Sequence, residues 1–428
     1  MKRVAALFGL LVLGAGALFA AGGQEETAGP EKIELRYMMW DPQIIEKEQA
    51  LAQKFHELNP NISITVEGIA YAQFWEKIQA MAAAKTLPDV FWMAVDRVKD
   101  NQRMGALLDL QPYVDKLDKS NYFESVFNVL RAPNANGDMY AFPYAWVVCI
   151  FYYNMRLFDE AGLQYPPEKW TWDEMRNLAI KLTKDIDGDG NADQWGYWVK
   201  GRYTHTWSYV YNNGAQMVSD DFKRCLLDEG KGKEAMKFLA DLVIKDKVSP
   251  TPAQTKGVST FFTTGKIAMC TEGSWRIDTY RKSLADPFGI TYLPLGPGSG
   301  GKNVSFGWPD SYAISAYTKH PDESWAWTEY MAGPGRPVDS VLGGKVSIWK
   351  KSALSDAWAE KNMLPENKDL VLKAGELIGK NVTFAPGWPE WSDQIAASDF
   401  DKILLGEGDF DTVMAEMTEK IDKVLARY

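Results

Sequence analysis

The sequence predicts an α/β protein with room for two packed cores. Strand-like and helix-like segments alternate through the first third of the chain. The length of 428 residues is ample for two domains, at about 100–200 residues each. A strongly amphipathic helix closes the C-terminus. A β-α-β-α-β order argues for a parallel sheet with helices on its faces.

Each element rests on its own pattern. Residues 33–40 read as a strand. Over residues 43–58, Ile44, Leu51, Phe55 and Leu58 share one helical face. Ile62, Ile64 and Val66 alternate as a strand should, and Phe74, Ile78 and Met81 are in phase for a helix over residues 71–84. Residues 90–94 form a short apolar run suited to a strand covered on both faces. Ligands of such sheets bind beyond the carboxyl ends of the strands. Trp40-Asp41 and the stretch from Trp92 to Asp96 lie at those ends.

A second unit spans residues 143–300, with helices over 172–183 and 233–245. A turn at Phe261-Phe262 leads into a strand over 266–271, and residues 294–301 are a loop by composition. A strand over 311–315 and a helix over 324–332 follow. In the tail, Phe410, Val413, Met414, Met417, Ile421, Val424 and Leu425 fall in phase on one helix. No internal repeat is present.

Short motifs lie in a specific order along this frame. Residues 137–174 contain Gly137-Asp138-Met139-Tyr140-Ala141-Phe142-Pro143-Tyr144, Phe151-Tyr152-Tyr153-Asn154, Leu157-Phe158, Ala161-Gly162-Leu163 and Trp170-Thr171-Trp172-Asp173-Glu174. Pro88-Asp89-Val90 and Gly105-Ala106-Leu107-Leu108-Asp109-Leu110 precede them. Phe262-Thr263-Thr264-Gly265-Lys266-Ile267-Ala268-Met269 and Gly273-Ser274-Trp275 follow. The ordered set resembles the extracellular solute-binding proteins of ABC importers, in the sugar-binding, maltose-binding-protein-like family. It covers nearly everything after residue 31.

The resemblance implies a two-lobed periplasmic binding protein fold of the Venus-flytrap type. Each lobe is then a mixed sheet flanked by helices, with the ligand cleft between them. Residues 31–142 plus 301–345 would form the N-terminal lobe, and 143–300 plus 346–428 the C-terminal lobe. The implied activity is capture of a mono- or oligosaccharide by lobe closure and delivery to ABC permease subunits in the membrane. The protein is then a monomeric carrier that does no chemistry on its ligand.

The N-terminus supports export independently. Lys2 and Arg3 precede an apolar run from Val4 to Phe19, and Ala20-Ala21-Gly22-Gly23 is a small-residue exit. The run is short and a polar tail follows, so residues 1–21 read as a cleavable signal peptide and not a membrane span. No cysteine stands near the exit for lipid attachment. The expected location is the periplasm or the extracellular face. Loss of Lys2 and Arg3 takes the formal charge from −10 to −12. Such an acidic chain is a poor partner for nucleic acid. Cys149, Cys225 and Cys270 are too few and too widely spaced for a disulfide framework, and nothing in the spacing selects a pair.

The chain holds 17 Trp, 19 Tyr and 19 Phe, and many tryptophans sit beside Gly, Pro, Asp or Ser. A sugar ring has an apolar C–H face that flat aromatics cover and a hydroxyl rim that polar side chains bond. Trp275 is the first candidate for stacking, because the resemblance places its Gly-Ser turn at the cleft. Trp308 and Trp388 come next, in the runs Gly307-Trp308-Pro309-Asp310 and Gly387-Trp388-Pro389, both read as loops. Trp40, Trp146 and Trp207 follow. For the rim the candidates are Asp41, Asp96, Glu272 and Asp310, with Arg97 and Arg276 behind them. Large aromatics also dominate cores, and lone carboxylates often cap turns. Trp170, Trp172, Trp325, Trp327 and Trp358 are read as structural.

The sharpest local motif is acidic. Asp185, Asp187, Asp189, Asn191 and Asp193 alternate around Gly188 and Gly190. They match the first part of a Ca²⁺-binding loop. The closing bidentate Glu is missing, because Gly196 stands in its place. A structural Ca²⁺ and a solvated acidic turn are the two readings. No other cofactor is required. His56, His205 and His320 stand far apart, which argues against a transition-metal site. A secreted glycosidase would also carry aromatics and acids, but no pair of acids stands out as a catalytic couple. A carrier of a polyamine, a peptide or iron is the remaining alternative.

Overall fold

The computed structural model describes residues 31–132, 136–200, 203–256, 261–336, 344–378 and 385–428. The signal-peptide expectation for residues 1–21 lies outside them. Eleven strands are present among the described residues: β1 (Ile33–Met39), β2 (Ile62–Gly68), β3 (Val90–Ala94), β4 (Arg131–Ala132), β5 (Asp138–Met139), β6 (Phe142–Asn154), β7 (Trp195–Trp198), β8 (Ile267–Gly273), β9 (Phe288–Thr291), β10 (Gly307–Ile314) and β11 (Val346–Ser347). β4 and β5 form a separate small hairpin ladder. The others join in the order β2-β1-β3-β10-β6-β8-β7, with β9 and β11 also on β6.

The first half of this array is the expected β-α-β-α-β unit. β1 pairs in parallel with β2 and β3. The connecting helices Ile45–Leu58 and Tyr71–Ala84 bury Leu51, Phe55, Phe74 and Ile78 as the helical period predicts, whereas Leu58, the last residue of the first helix, is exposed and Ile44 lies in the turn before it. The first helix is entered through a short 3₁₀ turn, Pro42–Ile44, capped by the Asp41 carboxylate on the Gln43 N–H. Proline fixes φ and lacks a donor, so it suits a first turn.

β6 joins the two halves. Residues 142–148 pair with β10, whereas residues 149–154 pair with β8 and β9. The strand is buried almost end to end, as a near-continuous apolar run requires. The pairing therefore changes partner between Val148 and Cys149, inside the strand and past the residue-142 boundary drawn from sequence. The later crossing is also shared. β11 pairs with Ala145 and Trp146 on the first-half side, and Trp349 bridges Tyr122.

Two segments expected as loops are ordered elements. Gly307-Trp308-Pro309-Asp310 is the start of β10. Pro309 is tolerated because β3 pairs β10 only from Asp310 onward, and a register shift follows at Asp310/Ser311. Gly387-Trp388-Pro389 opens a helical turn, Trp388–Glu390, with proline again in the first turn. The helix Trp172–Leu182 starts with a full capping box between Thr171 and Glu174. The helix Gly230–Ile244 begins before residue 233, and a single 3₁₀ turn, Pro297–Ser299, interrupts the loop at 294–301. All three cysteines are free and buried.

Candidate functional site

A cavity of about 630 Å³ lies between the two halves, over the middle of β6 at Val147. One wall comes from the carboxyl ends of β1 and β3 and from β10. Trp40 and Asp41 follow β1, Asp96 and Arg97 lie on the turn after β3, and Tyr71 opens the second helix. Trp40 packs at 4.8 Å from Trp92 and 5.6 Å from Phe74, which fixes its ring. Asp96 Oδ2 is 3.4 Å from Arg97 Nε. Burial raises the Asp96 carboxyl above its ordinary range, and the attraction of Arg97 does not cancel this. Asp310 accepts from Lys345 Nζ at 2.7 Å. Lys345 gets there because Gly344 passes so close to Ser274 that any added Cβ would meet its carbonyl oxygen at 1.4 Å.

The other wall centres on Glu272, the penultimate residue of β8. Its Oε2 faces His205 Nε2 at 3.5 Å, Lys200 Nζ at 3.7 Å and Arg276 Nε at 3.7 Å. Burial alone would push this carboxyl up. His205, Lys200 and Arg276 outweigh burial and hold it well below the usual carboxylate range. Gly273 then lets Trp275 fold back over the strand end, where a Cβ would strike the indole at 1.9 Å. The Trp275 and Trp308 ring centroids lie 5.4 Å apart, so the two walls meet in an aromatic pair.

The rest of this wall is helical. The turn Trp388–Glu390 runs into a π-helical stretch, Trp391–Ala396, and then into the helix Ala397–Leu405. Trp388, Ser392, Asp393 and Ala397 line the cavity. Short π stretches inside α-helices recur at functional sites.

The structure brings eight of the ten sequence candidates to this cavity: Trp40, Asp41, Asp96, Glu272, Trp275, Trp308, Asp310 and Trp388. Trp146 and Trp207 are not on its lining. Trp146 lies in β6 with its ring against Phe123 at 4.8 Å and its indole nitrogen against Gly375. Val147 is the β6 residue on the lining, and side chains alternate between faces of a strand. Trp207 is buried one layer back, where its Nε1 donates to Ser392 Oγ at 3.0 Å. Sequence reasoning missed Tyr71, Lys200, His205, Lys345, Ser392 and Asp393. A polar residue beside a tryptophan was a usable signal for Ser392 and Asp393, which follow Trp391. None existed for Lys345, which a chain crossing delivers from far along the sequence.

The acidic loop is exposed and separate. One oxygen each from Asp185, Asp187 and Asp193 lies within 4.8 Å of the others. Asp189 is not in that trio; it accepts from the Asn191 N–H at 2.8 Å. The trio also accepts backbone donors, from Gly188 and Gly190 onto Asp185 and from Ile186 and Asp187 onto Asp193.

A two-half α/β fold with an aromatic, ion-paired cavity where the halves meet defines a class: proteins that enclose a small ligand. The model of the bacterial extracellular solute-binding proteins matches residues 41–335, and this chain belongs to that family. It is a solute-binding protein and not an enzyme. A binding protein of Brucella abortus is 24% identical over 390 residues, covering 89% of this chain and 90% of its own. The sn-glycerol-3-phosphate-binding periplasmic protein UgpB of the same organism is 28% identical over 191 residues, 44% of this chain and 43% of its own. Among solved structures, an ABC substrate-binding protein of Listeria monocytogenes in complex with cycloalternan superposes with a TM-score of 0.78 at 21% identity. The match covers 92% of this chain and all of that one. The shared fold is the two-lobed one. Among the described residues, no helix is long and apolar enough to cross a membrane.

Proposed function

We propose that this protein is the extracytoplasmic sugar-capturing component of an ABC importer. It takes a mono- or oligosaccharide into the cleft, closes its lobes and presents the closed form to a membrane permease. The observation that carries this reading is the pairing of flat aromatics with compensated charges. Five aromatic side chains line the cavity, and five acids face four Lys or Arg side chains. Asp96, Asp310 and Glu272 each have a cation from their own wall. A cleft so nearly balanced suits a neutral, hydroxyl-rich ligand. It gives no cation excess for a phosphate ester and no acid excess for a polyamine. The cavity volume falls in the ordinary range for small-molecule sites, about 300–1,000 Å³.

The same reading places the protein on the far side of the cytoplasmic membrane, exported by residues 1–21 and working as a monomer. The acidic loop then takes Ca²⁺ as a structural ion on Asp185, Asp187 and Asp193. Titration of chelated protein with Ca²⁺ by calorimetry tests this, and absence of binding heat rejects it.

The ligand is tested by a thermal-shift screen of the mature protein against mono- and oligosaccharides, with sn-glycerol-3-phosphate, amino acids, polyamines and iron beside them. A ligand at a hundredfold excess over its Kd stabilises the native state by about 2.7 kcal/mol. A raised midpoint with one sugar class and no sugar breakdown is the expected outcome. A shift only with glycerol phosphate or another control moves the protein to that solute class.

A further inference from the structure

The helix Val98–Arg103 leaves the cleft wall directly after Asp96 and Arg97. Three of its side chains reach three separate segments of the opposite half. Asp100 Oδ1 accepts from the Gly387 N–H at 3.1 Å. The Arg103 guanidinium lies 4.4 Å from the Tyr428 ring centroid. Lys99 Nζ lies 5.9 Å from the ring of Phe222. Both cation–ring distances are within reach of attraction.

The three receiving segments are tied to one another. Phe222 sits in the tight turn closed by the Val218–Cys225 bridge, with φ at +59°. That backbone is uncommon for an aromatic residue. Ser219 Oγ holds it by accepting from the Lys223 and Arg224 N–H groups. The Cys225 N–H donates to Asp422 at 2.6 Å, which fixes this turn to the C-terminal helix Phe410–Leu425. Past that helix, Arg427 pairs with Glu390, next to Gly387 and Trp388. The pad facing Val98–Arg103 is therefore one body, and Trp388 on its inner side lines the cavity.

We propose that Lys99, Asp100 and Arg103 form a latch between the two halves that favours the closed lobes before any ligand arrives. None of the three lines the cavity, although the Asp100 carboxylate is close enough to Asp96 and Arg97 on the wall to act on their charge. Contacts made only in the closed form raise the binding-competent fraction, and apparent affinity rises with that fraction. The inference rests on the solute-binding function and not on the ligand being a sugar.

The test uses ligand-free protein carrying spin labels at Leu58→Cys and Ile244→Cys, one on each half. Both positions are exposed, at 69% and 44%, while the native cysteines are buried and stay unlabelled. The Asp100→Ala/Arg103→Ala double variant is expected to move the label-to-label distances to longer values with unchanged circular dichroism. Asp100→Asn, which keeps an acceptor for Gly387, is expected to retain the wild-type distances. Wild-type distances in the double variant overturn the latch. With a sugar that shifts the melting midpoint as probe, the double variant should bind roughly tenfold more weakly. If no panel sugar shifts the midpoint, the sugar reading fails while the distance measurement still decides the latch.

Discussion

The two walls of the cleft each hold a withdrawn carboxylate, and the two behave in opposite ways. Glu272 and Asp96 are similarly shielded, with side chains 9% and 14% exposed. Lys200, His205 and Arg276 converge on Glu272 within 3.7 Å, whereas among the described residues Asp96 pairs with Arg97, its sequence neighbour, at 3.4 Å. Burial raises both carboxyls, and only around Glu272 do the partners outweigh it. Equal burial therefore does not mean equal charge. The Glu272 wall presents a fixed anion held by a frame of donors, and the Asp96 wall presents a group that takes up a proton more readily.

The largest expected effect separates the walls directly. Glu272→Gln leaves Lys200 and Arg276 without their counter-charge and should destabilise the fold by about 2–3 kcal/mol in urea unfolding. This is below the full cost of breaking a buried pair, because Lys200 and Arg276 reach solvent. Asp96→Asn should cost less than about 1 kcal/mol. Equal losses would erase the contrast.

The next test concerns the aromatic pair where the walls meet. Trp275→Ala should weaken binding of the sugar found in the thermal screen by about 2 kcal/mol, roughly 30-fold, by calorimetry. Trp207→Phe keeps the core filled but removes the Ser392 hydrogen bond, so a loss nearer 1 kcal/mol is expected. A Trp207 effect as large as that of Trp275 would mean that the layer behind the wall matters as much as the wall.

The smallest effect lies in pH dependence. The folded-state carboxyl of Glu272 titrates below its unfolded value, so its contribution is complete above the ordinary carboxylate range near pH ~4 and is lost as pH falls through and below it. Asp96 has the opposite sign. Its native state binds the proton more tightly, so its burial costs stability as pH rises from that range through its raised folded value. Relative to wild type, Asp96→Asn should gain stability between acid and neutral pH, by under about 1 kcal/mol in urea midpoints. A gain of the other sign would contradict the ordering of the two walls.

Much of the frame was legible because it is local. The first β-α-β-α-β unit follows from two periods, and helices Tyr71–Ala84 and Phe410–Leu425 start and stop where their apolar stripes do. Strand ends marked Trp40, Asp41, Asp96 and Glu272 for the same reason. What stayed hidden was set by non-local pairing. β10 begins before its apolar run does, because hydrogen bonds to β6 carry Gly307 and Trp308 into the sheet. Trp146 and Trp207 have the same flat, amphipathic side chain as Trp275, and only the side of the strand or helix they occupy keeps them off the lining. Lys345 comes to the cleft through a chain crossing, and His205 through packing of the helix Tyr203–Asn212 on β8, and no sequence window contains either.

That β10 stands between β3 and β6 has a consequence for the order in which the molecule is completed. The strand that welds the first unit to the rest belongs to the final third of the chain. Until it is made, β3 and the first half of β6 each keep a bare edge with unpaired amide and carbonyl groups. A fragment ending before residue 307 is accordingly an adhesive, incomplete sheet. The chain must postpone this long-range pairing until β10, Gly307–Ile314, is available, a topology associated with slow folding.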